Sequence, residues 1–356
     1  MLKQFKPNYA AEPGEILYEM LNDYGLTQKD LALRMGRPEK TISEIINGKS
    51  RITQETALQL EYIFNMPASF WTNLENTYQE VKARNEQERE IESKISILDK
   101  FPLEIFAQKG IIKSKVKTIE TYRQLCLFFK VVHLENTITI LDNLSYRKHA
   151  NKKFNEYACA SWLRLAENEA EKIECKSFNK DEFSKAIEKI RSLITLEKFP
   201  LQEIVDLCSK AGVAVTFYPE IKNSYVCGVK KKLVNGNMAV LLNLYHKTDD
   251  HIWFTFFHEA GHILCDDSEK PSVDFSISEE TSTKEKKANQ FASKILINQA
   301  MMTRFIQNGS FTESSIIKFA RDINLRPGII VGQLQYLKIL PYNSKLNHLK
   351  TSYMWS

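Results

Sequence analysis

His258 and His262 stand four residues apart in an otherwise apolar stretch, and that spacing leaves few folds open. On an α-helix, residues i and i+4 share a face one turn apart, so two imidazoles at this spacing can converge on one ion. Trp253, Phe254, Phe256, Phe257, Ile263 and Leu264 supply the apolar surface that buries such a helix and holds the ligands rigidly. Between the histidines lies Glu259, whose carboxylate can take a proton from a water activated by zinc and hand it to a leaving amine. The pattern predicts metal-assisted hydrolysis, with His258 and His262 as ligands and Glu259 as general base.

Two histidines leave a catalytic zinc one protein ligand short. The downstream acids are Asp266, Asp267, Glu269, Asp274, Glu279, Glu280 and Glu285. From Glu285, the residues Ala288, Phe291, Ala292, Ile295 and Leu296 recur at helical spacing, and Glu285 joins that inward stripe. Glu279 and Glu280 fall in a Ser/Thr-rich loop-like stretch. Glu285 is therefore the expected third ligand, and Asn289, one turn on, is placed to orient its carboxylate. A donor for a transition-state oxygen is sought among Tyr225, Tyr245, His246 and His251, with no ground for choosing among them. His133, His149 and His348 read as structural.

The chain has 356 residues, enough for two or three domains, with 43% hydrophobic and 26% charged residues. No apolar run approaches a membrane span and the N-terminus lacks the apolar core of a signal peptide, so a cytoplasmic protein without membrane contact is expected. Six dispersed cysteines without a CxxC pair imply reduced thiols rather than a zinc ribbon or disulfide framework. The net charge of +5 is too small to diagnose a partner.

The fold class expected is mainly α with a small β-sheet, an α+β arrangement. Residues 1–78 read as a compact five-helix-type unit, 79–100 as a charged helical linker, 101–200 as a helical middle, 201–340 as the catalytic domain and 341–356 as a tail. Gly212 should stop a helix, and Val213–Phe217, Tyr225–Leu233 and Met238–Leu242 read as strands of a largely antiparallel sheet, the last two joined at Asn235-Gly236. Gly228, on the second of these, could present a strand edge to an extended peptide. Residues 311–340 read as two helices packed on the catalytic domain.

The N-terminal unit carries its own pattern. Thr27-Gln28-Lys29-Asp30 resembles a capping box, Leu31, Ala32 and Met35 form an inner face, Gly36 permits a turn, and a second helix runs through Ile42, Ile45 and Ile46 to Asn47-Gly48. This is a helix-turn-helix arrangement. Its DNA-facing residues would be Gln28, Lys40, Thr41, Ser43, Glu44 and Asn47, with Lys49 and Arg51 meeting phosphates. Residues 1–80 hold 8 Lys and Arg against 11 Asp and Glu, net −3, so one copy should bind weakly and a homodimer is expected.

The runs PGEIL, TQKDLALRMG, SEIINGK and TALQLEYIFNMPASFW resemble the XRE-type helix-turn-helix of HigA-like antitoxins over about residues 8–78. HEAGH with Glu285-Lys286-Lys287-Ala288-Asn289-Gln290-Phe291-Ala292 resembles the ImmA/IrrE metallopeptidase family, whose zincin-like domain takes its third zinc ligand from the glutamate three residues before Ala-Asn. The resemblance thus also implies Glu285. The segments EYACASWLRLAENEA, KAGVAVTFYPE and FARDINLRPGIIVGQLQYLKIL resemble long proteins fusing the two domains. Lys287 and Asp266 depart from residues common in that family, an acid and a histidine respectively.

The resemblance implies a DNA-binding transcriptional regulator carrying a zinc-dependent endopeptidase. Its partners would be operator DNA and a second copy, and its substrate a repressor or the chain's own 79–100 segment, in a phage, stress-response or toxin–antitoxin circuit. The alternative is a non-proteolytic autorepressor of antitoxin type, whose metal domain senses a ligand or docks a cognate toxin.

Overall fold

A computed structural model describes residues 9–142, 154–243, 247–265, 272–275 and 283–353. The chain divides into two compact units: the described residues of Met1–Ser96 with Lys117–Tyr122, and Ile97–Val116 with the described residues of Arg123–Ser356. Among the described residues no helix is long and apolar enough to cross a membrane, and no disulfide joins any of the six cysteines.

The first unit comprises α1 (Pro13–Asp23), α2 (Gln28–Met35), α3 (Glu39–Ile46), α4 (Gln54–Phe64) and α5 (Ala68–Lys94). Thr27 accepts from the Asp30 amide while Asp30 accepts from the Thr27 amide, so the capping box is formed at the start of α2. Gly36 ends α2 at φ 65°, a left-handed turn that lets α3 swing away. Leu17, Leu31, Ile42, Ile45, Leu60 and Trp71 share the core. The charged segment read as a helical linker is helical up to Lys94. Residues 79–94 continue α5 without a break, because sparse apolar positions and i,i+4 pairs such as Glu80–Arg84 and Glu90–Lys94 suffice to extend a helix already nucleated by core packing. Its backbone amides are spent in the helix, so residues 79–94 offer a protease no extended backbone.

The second unit holds α6 (Leu103–Gln108), the later part of α7 (Ile119–Phe129), α8 (Thr137–Asp142), α9 (Glu156–Ala170), α10 (Lys180–Ser192) and α11 (Leu201–Lys210). It continues with β1 (Val213–Tyr218), β2 (Val226–Lys232), β3 (Met238–Asn243), α12 (Asp249–Cys265) and β4 (Ser272–Phe275). Then come α13 (Thr283–Leu296), α14 (Gln299–Gln307), α15 (Glu313–Asp322) and α16 (Pro327–Tyr336). The segments 101–200 and 201–340, read separately from the sequence, share this unit.

The sheet has the order β1-β3-β2-β4. β2 and β3 form the hairpin expected around Asn235-Gly236, with Gly236 at φ 88°, while β1 pairs parallel to β3. β4 was not anticipated, since four residues carry too little alternation to register as a strand. β2 is therefore central. Gly228 pairs with Leu242 on one side and Asp274 on the other, so its strand has no free edge for a peptide, correcting that expectation.

α12 packs with β2 and β3 on one side and with α13 and α16 on others, around a core of Trp253, Phe256, Phe257, Ile263, Leu296 and Ile330. Arg191 of α10 ties elements together from the side: its guanidinium donates to the carbonyls of Ile295 and Leu296 at the end of α13 and of Ile323 and Asn324 after α15. These are carbonyls left over at helix ends, satisfied here by one planar donor.

Candidate metal centre

α12 presents His258, Glu259 and His262 inward, each at most 3% exposed. α13 comes close because the crossing is built from small residues. A Cβ on Gly261 would stand 3.1 Å from the Ala288 Cα, and Ala288 and Ala292 are buried at the contact. That approach carries Glu285, one turn before Ala288, to the histidines. Glu285 Oε2 lies 3.3 Å from His258 Nε2, Glu285 Oε1 lies 3.5 Å from His262 Nε2, and the two Nε2 atoms are 3.0 Å apart. A tetrahedral ion with nitrogen and oxygen ligands at 2.0–2.1 Å separates neighbouring donors by about 3.3 Å. The three donors thus already stand at the spacing such an ion needs.

Asn289, four residues after Glu285, places Oδ1 2.8 Å from His258 Nδ1. Accepting that hydrogen assigns His258 the tautomer whose Nε2 lone pair faces the centre. Asn289 therefore orients a histidine, whereas the sequence suggested it would orient the glutamate. Burial raises the Glu285 pKa, but hydrogen bonds from His258 and His262 outweigh it and hold the carboxyl well below the ordinary range. The Phe254 ring stacks on His258 with centroids 6.1 Å apart, limiting the imidazole's freedom.

Two neighbours were not recognised in the sequence. A Cβ on Gly228 would stand 2.6 Å from Glu259 Oε1, so a side chain on this central strand would displace the carboxylate. Lys230, two residues on and 1% exposed, donates from Nζ to the His262 carbonyl at 3.2 Å. A cation there also suits the carboxyl end of a helix. The only signal available was a lysine alternating with Gly228 and Val226 in an apolar strand.

His251 lies in the first turn of α12, about 10 Å along the axis from His258, and sits 3.9 Å from Asp250; it is too remote to serve a reacting carbonyl. Tyr225 precedes β2 at φ 51°. Tyr245, His246, His149, Asp266, Asp267, Glu269, Glu279 and Glu280 lie outside the described residues, as does any account of the Asp274 side chain.

In the first unit α3 buries Ile42 and Ile45 and leaves Lys40 exposed, with Thr41, Ser43 and Glu44 half-buried along its outer side. Asn47 donates to the Ser43 carbonyl, Gln28 is half-buried at the start of α2, and Lys49 and Arg51 are exposed beyond α3. Lys40 and Glu44 pair loosely at 3.8 Å.

Residues 17–71 match the helix-turn-helix family, and residues 208–325 match the Peptidase M78 family, described as the IrrE N-terminal-like domain. The chain joins an XRE-type helix-turn-helix domain to a Peptidase M78 domain of the IrrE/ImmA kind. Among curated proteins, an uncharacterized HTH-type transcriptional regulator of Escherichia coli, YddM, is 29% identical over 66 residues, 18% of this chain and 70% of that protein. An uncharacterized HTH-type transcriptional regulator of Haemophilus influenzae is 41% identical over 63 residues, 17% of this chain and 59% of that one. Among solved structures, a HigA-family addiction-module antidote protein from Coxiella burnetii is 33% identical, covering 23% of this chain and 91% of its own at a TM-score of 0.22. Pseudomonas aeruginosa HigA with the higBA promoter is 28% identical, covering 24% and 94% at 0.23.

Two elements beyond the matched M78 residues, α16 and the tail, clamp the amino end of its motif helix. Gly328 and Gly332 let α16 approach until a Cβ on either would stand 2.5 Å from Asp249 Oδ1 or Asp250 Oδ2. Lys350 Nζ donates to Asp250 at 2.6 Å, and the Thr351 amide donates to Asp249. Burial first, and the neighbouring Asp250 second, push the Asp249 carboxyl up to about 6. Raised above its ordinary value, this group binds its proton more tightly in the folded state. Its buried charge costs nothing below about pH 4, and a cost of about 3 kcal/mol builds as pH rises through about 6. Asp249→Asn, which keeps the accepting Oδ1, should flatten the decline in Tm between about pH 4 and pH 7. If thermal melts of the variant retain the native pH slope, Asp249 is not its source.

Proposed function

We propose that the chain is a transcriptional regulator whose N-terminal domain binds operator DNA as a homodimer and whose M78 domain is a zinc-dependent endopeptidase. The observation that carries the hydrolase half is the convergence of three donors, His258, His262 and Glu285, beside the buried carboxylate of Glu259. A zinc ion held by those three would supply Lewis acidity, lowering the pKa of water and polarising a peptide carbonyl. Glu259 then holds and returns a proton at its carboxylate, in the pocket that Gly228 leaves open. Asn289 and Lys230 keep the imidazoles and the end of α12 in place. The substrate is a separate partner protein, a repressor in this reading, because cleavage in 79–94 would first require α5 to unwind.

Glu259→Gln should retain stoichiometric zinc, measured by elemental analysis, while cleavage of a mixed fluorogenic peptide pool falls at least about 100-fold. Cleavage at the native rate would remove Glu259 as the base. If the native chain cuts nothing and Glu259→Gln leaves regulation unchanged, the M78 domain acts as a sensor or docking module instead.

The DNA half is supported by the helix-turn-helix match and by the regulators it resembles. Lys40, Thr41, Ser43 and Asn47 of the second helix, with Gln28, read bases, and Lys49 and Arg51 meet phosphates. In gel-shift assays on DNA upstream of its own gene, the intact protein should shift a band at moderate salt. Lys40→Ala with Thr41→Ala should weaken the shift at least tenfold; no shift by the native protein discards this half.

A further inference from the structure

A groove of about 600 Å³ runs between α13, α14 and α16, large enough to hold several side chains. One part of its wall adjoins the metal centre. Asn289 lines it and also accepts from His258, and Tyr336 lines it with its ring 6.4 Å from Phe254, which stacks on His258. The floor is apolar, with Ile297 and Met302 both buried beneath. The rim carries Lys286 and Lys294 and no carboxylate, and neither lysine has an ion-pair partner among the described residues.

The two lysines are eight residues apart on α13, about 12 Å along its axis. An extended chain advances about 3.3 Å per residue, so side chains at i and i+4 lie on one face about 13 Å apart. We propose that this groove binds an extended acidic peptide segment, carboxylates at i and i+4 meeting Lys286 and Lys294 and an apolar side chain at i+2 resting on the floor. The inference rests on the peptidase reading and names its substrate class. The apolar floor and the adjoining centre favour a peptide over a nucleic-acid backbone, which would meet the same lysines but leave the floor unfilled.

The test uses the full-length Glu259→Gln chain with zinc added, so that binding is read without turnover. Three peptides with an uncharged fluorophore are titrated by anisotropy at low salt: acetyl-Thr-Glu-Thr-Leu-Thr-Glu-Thr-amide and its counterparts with both Glu replaced by Gln or by Lys. The acidic peptide should bind at least tenfold tighter than the Gln peptide, and the Lys peptide weakest. Lys286→Glu with Lys294→Glu, both on the surface and expected to leave Tm unchanged, should invert that order. Equal binding of the three, binding of none, or an order the double substitution leaves intact overturns the proposal. If the order holds and inverts as stated while the native zinc-loaded chain leaves all three peptides uncut, the groove assignment stands and the hydrolase reading falls.

Discussion

Glu285→Gln is expected to lower zinc affinity roughly a thousandfold. Structural zinc sites hold their ion with about 10–16 kcal/mol from four ligands, so one ligand accounts for about 3–4 kcal/mol, or two to three powers of ten. The amide keeps the volume of the carboxylate but not its charge, and Glu285 supplies the only anion within the donor set. Because His258 is oriented by Asn289 and the helices cross at Gly261 and Ala288, neither of which changes, the loss should fall on the ion rather than on the fold. The measurement is competition with a chromophoric chelator, together with the zinc-induced rise in Tm, which should disappear in the variant. A dissociation constant within tenfold of the native one would show that Glu285 is not a ligand.

Gly212→Ala is expected to destabilise the second unit by at least about 3 kcal/mol, near the upper end of what single substitutions do. Gly212 follows α11 at φ 81°, a region that costs a residue with a Cβ about 1–2 kcal/mol. The methyl group would also overlap the backbone N and Cα of Phe178, on a segment anchored by hydrogen bonds from Lys176 to the Ser209 carbonyl and from Asn179 to the Ala211 carbonyl. Backbone held from both sides cannot yield as a flexible side chain would. Gly236 is the control: at φ 88° it has nothing within 4 Å of its would-be Cβ, so Gly236→Ala should cost about 1 kcal/mol. Urea denaturation of both variants distinguishes the two; similar midpoints would mean that strain at φ dominates and the Phe178 contact does not matter.

Both positions look alike in the sequence, as glycines at turns, and only their tertiary neighbours separate them. The same holds at the candidate centre. The i,i+4 histidines, the acid between them and the apolar stripe that Glu285 joins were legible because helical periodicity is a local property. The capping box at Thr27–Asp30, the turn at Gly36 and the hairpin at Asn235-Gly236 were legible for the same reason. Gly228 was misread as a strand edge because sheet order is non-local: nothing in the chain near residue 228 announces that residues 272–275 pair beside it. Lys230 was missed because a charged residue in a strand is ordinarily solvated, and only the passage of α12 overhead buries it. The helical character of the charged segment was legible, but its continuity with the start of α5 was not, because that depends on whether a packed segment nucleates the helix, here the core around Trp71.

The amino-acid order alone determined which residues can share a helical face, where helices stop and which side chains can carry metal-ion chemistry, since these depend on contacts within a few residues. Tertiary packing decided that Glu285 meets the two imidazoles, that Asn289 serves His258, that Gly228 makes room for Glu259, and that a lysine-rimmed groove adjoins the centre. Each of these depends on how closely two elements distant in sequence can approach. Small residues such as Gly261 and Ala288 permit that closeness, but the chain reveals which surfaces they join only once it has folded.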